Sequence, residues 1–153
     1  MPGRGAWAVW IGGALACALF AGCGSDGPSE PAGPPGDWGA IAGIATLPGQ
    51  AETSLRGAFV SVYRSLEDWE LEETVVPTVQ LLEESLSANF LIGAPPGRYF
   101  VEVWLDVDGS GTIDPGDWWG ITGSSDWLDP VPSFITVTKG QTVTASVALQ
   151  AVR

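Results

Sequence analysis

From residue 38 onward, apolar and polar residues change places with the short period of extended chain. Val143, Ala145, Val147 and Leu149 alternate with Thr142, Thr144, Ser146 and Ala148, which predicts a strand with one buried face. Phe59, Ser61 and Tyr63 oppose Val60, Val62 and Arg64, and Tyr99, Val101, Val103, Leu105 and Val107 oppose Phe100, Glu102, Trp104 and Asp106. Gly, Pro and Asp punctuate these runs, and no helical periodicity is sustained beyond about ten residues. Strands are predicted near residues 40–47, 58–64, 74–82, 87–92, 99–107, 133–138 and 142–149. About seven strands in this length predict an all-β fold, a single Greek-key β-sandwich. Segment 66–86 is the least regular. Its Glu and Leu residues favour a short helix, but Val75, Val76, Pro77, Thr78 and Val79 oppose one, and it is read as mostly extended.

The first residues break this pattern. Arg4 precedes a nearly uninterrupted apolar and small stretch, 6–21, with Gly22 just before Cys23, the layout of a secretory signal peptide. A spanning helix needs about 20 apolar residues, so removal of residues 1–22 fits better than retention. Leu19, Phe20, Ala21, Gly22 and Cys23 resemble the lipobox of bacterial lipoproteins, where small residues precede a cysteine that becomes the lipidated first residue. Phe20 stands where Leu is more usual. The resemblance implies acyl chains such as palmitate on Cys23 and display from the membrane of the cell envelope. Cys17, after Ala14, Leu15 and Ala16, is an alternative lipidation site, and an ordinary cleaved signal or an uncleaved anchor are further alternatives. All of them export the downstream domain. Gly24, not Asp, follows Cys23, and by resemblance to enterobacterial sorting this implies the outer membrane, with the periplasmic or outer face left open. The next residues, 24–37, read GSDGPSEPAGPPGD, a composition that buries no core and suits a spacer. The lipidated cysteine and linker, 23–37, therefore precede one domain, 38–153, and a chain of 153 residues suits a single core.

Charge and chemistry narrow the function classes. Beyond the leader only Arg56, Arg64, Arg98, Lys139 and Arg153 stand against 18 acidic residues, so nucleic acid is not an expected partner. Anionic head groups would repel the same charge, leaving membrane attachment to the acyl chains. No cysteine follows Cys23, which excludes an internal disulfide. The chain has no histidine, so a Ser-His-Asp triad is excluded. The acidic residues gather in one loop and in Glu67, Asp68, Glu70, Glu72 and Glu73, without an acid and base pair suited to glycoside hydrolysis. The second cluster reads as a solvated turn or guarded sheet edge. An enzyme is not expected.

The sharpest signal is the loop 106–117, DVDGSGTIDPGD. Oxygen side chains stand at its first, third, fifth, ninth and twelfth positions, as Asp106, Asp108, Ser110, Asp114 and Asp117, with Gly111 at the sixth. Calcium takes six to eight oxygens, and this is the spacing of a calcium loop, with the Thr112 carbonyl completing the ring. The bland alternative is a polar turn with solvated carboxylates. An EF-hand has a bidentate Glu at the last position; dockerin loops resemble this one in using Asp there. The likeness covers about a dozen residues, because Gly120, Thr122, Gly123 and Ser124 after Trp118 and Trp119 do not extend a helix.

Two further signals bear on the domain. The stretch NFLIGAPPGRYFVEVWLD, 89–106, with the earlier GIATLPG and AFVSVYR, resembles carboxypeptidase regulatory-like, prealbumin-type β-sandwiches. That resemblance implies an accessory, adhesive or spacer module rather than a catalyst. Trp118, Trp119 and Trp127 lie close after the loop, where they serve either to cover the core or to stack on sugars as in carbohydrate-binding modules. The expectation is a non-catalytic Ca²⁺-binding module of the cell envelope with a structural or protein-interaction role, its partner an envelope protein. The alternative is a carbohydrate-binding module that contacts a polysaccharide.

Overall fold

The computed structural model describes residues 36–153. The leader, Cys23 and nearly all of the linker lie outside the described residues. Among the described residues nine strands form, in chain order β1 Gly39–Thr46, β2 Phe59–Tyr63, β3 Val79–Gln80, β4 Ser87–Ala94, β5 Gly97–Leu105, β6 Trp118–Ile121, β7 Ile135–Val137, β8 Thr142–Ala148 and β9 Gln150–Ala151. A five-residue helix, α1 Leu66–Glu70, lies between β2 and β3. The smaller sheet has the order β4-β1-β8 and the larger β3-β2-β5-β6-β9, with β7 also paired to β5. The chain alternates between the sheets, and the architecture is an all-β sandwich.

Alternation in the sequence becomes the core. Ile41 and Ala45 of β1, Phe90 and Ile92 of β4, and Val147 of β8 face Val60 and Val62 of β2 and Tyr99, Val101, Val103 and Leu105 of β5, all buried in one cluster. Each such aliphatic or aromatic side chain contributes about 1.5–3 kcal/mol by leaving water. Phe90 seats over Gly43, where an added Cβ would meet the ring at 2.0 Å. Between β4 and β5, Pro95 and Pro96 carry the chain from one sheet to the other. Tyr99 bends back to donate its hydroxyl to the Pro95 carbonyl at 2.8 Å. Gly97 is needed there for space, since a Cβ would fall 2.4 Å from that hydroxyl.

The structure departs from the sequence reading in four places. The mostly extended reading of 66–86 is corrected by α1. Ser65 caps it by accepting from the Asp68 amide at 3.0 Å, and a hydroxyl three residues ahead of an acid is a helix-start signal. The predicted strand 74–82 shortens to β3, although the Val75 amide still donates to Val62. β5 ends at Leu105, so Val107 is exposed instead of sharing the buried face. Trp118–Ile121 is a strand where the sequence reading places none, and it lacks alternation because Trp119, Gly120 and Ile121 are all buried.

β6 and β7 both pair with β5, at Glu102–Leu105 and Gly97–Tyr99 respectively. They are two halves of one strand position, interrupted by an excursion, 122–134. Its neck is closed by the Ser133 amide on the Thr122 carbonyl at 2.6 Å and the Thr122 hydroxyl on the Ser133 carbonyl at 2.8 Å. Among the described residues no helix is long and apolar enough to cross a membrane.

Candidate metal centre

The loop 106–117 is the connection of the β5–β6 hairpin, since Leu105 and Trp118 are register partners. Asp106 and Asp117, the first and last oxygen positions, thus stand side by side at its neck. The flanks are strands, so any likeness to EF-hand and dockerin loops ends with the loop itself. Gly109 and Gly111 adopt φ of 74° and 75°, a left-handed conformation that costs glycine little, and the chain coils back over Asp106. The Asp106 carboxylate accepts from the amides of Gly109 at 2.7 Å, Ser110 at 3.2 Å and Gly111 at 2.9 Å.

Asp117 is buried, and its two oxygens accept from the Val107 amide at 2.9 Å and the Trp104 indole N–H at 3.0 Å. Its own carbonyl accepts from the Val152 amide at 2.8 Å, which ties the loop exit to the C-terminal strand. One oxygen each from Asp106, Asp108 and Asp117 lie within 4.8 Å of one another. Ser110 Oγ is 3.1 Å from the Thr112 carbonyl and 3.2 Å from Asp114 Oδ2. Asp114 thus reaches the group through Ser110. Loop amides offset the crowding of negative charge: the Ser110 backbone N–H, then the Ser110 hydroxyl, holds exposed Asp108 below its ordinary pKa of 3.8.

The outer face of the larger sheet carries a feature that the sequence reading does not single out. Glu102 is 5% exposed. One of its oxygens accepts from the indole N–H groups of Trp69 and Trp119, each at 2.6 Å, and the other from the Tyr63 hydroxyl at 3.2 Å. Tyr63, Trp69, Phe100, Trp119, Ile121 and Val152 form a second buried cluster here, with Trp104, Ile113 and Trp127 against it. The signal available in the sequence is that two aromatic residues, Phe100 and Trp104, flank Glu102 on one face of the strand.

Beside this cluster opens a cleft of about 470 Å³. Phe59, Ser61, Tyr63, Glu102 and Trp104 form its floor, the loop residues Gly109 to Ile113 one wall, and Glu72, Thr74 and Thr78 the other. The three tryptophans singled out in the sequence border a separate shallow groove. Trp119 lies at its base with no exposed surface, Trp118 packs on the inter-sheet core, and Trp127 meets Trp69 and Trp119 edge-on at 5.4 and 5.1 Å. Trp119 is therefore a buried donor to Glu102 and offers no face for stacking.

No family model matches the chain, and no curated protein or solved structure matches it significantly.

Proposed function

We propose that the chain is a non-catalytic, calcium-binding β-sandwich module, held at the cell envelope by lipid on Cys23 and serving a structural or protein-interaction role. The observation that supports the reading is the convergence of Asp106, Asp108 and Asp117 to within 4.8 Å. Two oxygens on one calcium ion at 2.3–2.6 Å stand at most about 5 Å apart. The donor set fits a hard cation, being oxygen throughout. Asp106, Asp108 and Asp117 would hold the ion with Ser110 and the Thr112 carbonyl, and Asp114 would enter directly or through water. A bound ion would neutralise the loop's crowded carboxylates and join β5, β6 and, through the Asp117 carbonyl, Val152 just past β9.

Calcium that binds the folded loop alone stabilises the fold by mass action, by about 2.7 kcal/mol at one hundred times the Kd. Scanning calorimetry of the purified full-length chain should show a melting temperature roughly 10 °C higher in excess calcium than in chelator. Magnesium should give a smaller rise because it demands a tighter octahedron. Identical melting in calcium and chelator would remove the proposal.

A further inference from the structure

We propose that the cleft between the loop and residues 72–78 binds a small organic cation, an alkylated ammonium on a short polar body. The site goes beyond the calcium reading and does not require it. Three successive cross-strand pairs of β2 and β5 build the outer face here: Phe59 with Trp104, Ser61 with Glu102, and Tyr63 with Phe100. A hydroxyl and a carboxyl are thereby set between aromatic rings. Phe59 and Trp104 lie 5.9 Å apart at 37°, and the volume of about 470 Å³ falls within the range of small-molecule sites.

Charge decides the ligand class. Glu72, Glu102 and Asp106 line the cleft, and no Lys or Arg does. Glu102 is nine-tenths buried and its oxygens already accept from two indoles and the Tyr63 hydroxyl, which leaves Glu72 on the cleft wall as the acid that a ligand would meet. Glu72 would repel an anion, and a neutral ligand would leave its carboxylate unused. A strongly hydrated inorganic ion gains little from rings, whereas an alkylated ammonium meets aromatic faces and carboxylates together.

Glu72 adds an independent mark. It has φ 59°, the sole positive value among described non-glycine residues. It closes α1 with its amide on the Trp69 carbonyl at 3.1 Å while the Glu73 amide reaches Asp68 at 2.7 Å. Glycine ordinarily fills this position of the helix end. A carboxylate stands here instead, on the cleft wall, and strained backbone of this kind gathers at binding sites.

The test is titration of the full-length chain, in excess calcium, followed by tryptophan emission and calorimetry. Four probes are used: choline, its uncharged isostere 3,3-dimethylbutan-1-ol, phosphocholine and a neutral trisaccharide. Choline should saturate, with the isostere about tenfold weaker. Phosphocholine should also be weaker, which separates a free cation from a lipid head group. Glu72→Gly should raise the melting temperature yet weaken choline, and Phe59→Leu should weaken choline without unfolding. Equal binding of choline and the isostere, binding of the trisaccharide alone, no binding of any probe, or choline binding untouched by both variants would each overturn the site. Repeating the choline titration in chelator separates the two proposals: binding kept while calcium leaves melting unchanged retains the cleft and discards the calcium loop.

Discussion

Glu102 carries more of the architecture than its place in an alternating strand suggests. Indole nitrogens only donate, so a buried tryptophan must find an acceptor, and one carboxyl oxygen serves both Trp69 of α1 and Trp119 of β6. The acid thereby fastens a helix and a neighbouring strand to the outer face of β5. Among the described residues every buried side-chain nitrogen and oxygen has a partner, so removal of this acceptor has no slack to absorb it. Each donor left unpaired costs about 1–3 kcal/mol. Glu102→Leu should therefore destabilise the domain by about 3 kcal/mol or more, read from urea unfolding, and Glu102→Gln by less because a carbonyl oxygen remains. A leucine variant as stable as the parent would show that the two indoles find other acceptors.

The β5–β6 hairpin joins strand pairing to ligand geometry, and its two ends behave differently under mutation. Asp117 is buried and accepts from Val107 and Trp104, whereas Asp108 is exposed and bonded to the Ser110 amide at 2.9 Å. Asp117→Ala should abolish the calcium-dependent rise in melting and also lower stability in chelator by about 1–3 kcal/mol. Asp108→Ala should abolish the calcium response while leaving melting in chelator nearly unchanged; equal losses in chelator for both variants would contradict this division. The grouping of Asp106, Asp108 and Asp117 was legible in the sequence because all three belong to one short loop. The longer strands were legible because one face of each meets the core. Trp118–Ile121 was not, since burial on both faces erases alternation, and α1 is too short for periodicity, so that only Ser65 and Asp68 announce it. The cleft was invisible because Phe59, Glu72, Thr78, Glu102 and Gly111 come from separate stretches that only the fold assembles.

At the scale of the molecule, one sandwich presents a loop and a cleft at the same place, the loop forming one wall of the cleft and no Lys or Arg lining it. The formal net charge of −12 opposes adsorption to anionic lipid, so the proposed membrane attachment would rest on acyl chains rather than on surface charge, and a single chain holds a protein only marginally. The proposed anchor at Cys23 has a direct consequence. In bacterial cells expressing the chain, labelled palmitate should enter the protein, and membrane fractions should hold it through a high-salt wash that strips charge-bound proteins. Cys23→Ser should lose the label and move to the soluble fraction, while Cys17→Ser should keep both label and membrane. Loss of label in Cys17→Ser alone would move the anchor six residues upstream, and label in neither the parent nor the variants would leave the sandwich as an exported domain without a lipid. With a lipid at Cys23 and an acidic loop and cleft, the proposed membrane attachment and the proposed ligand would not compete for one face of the protein.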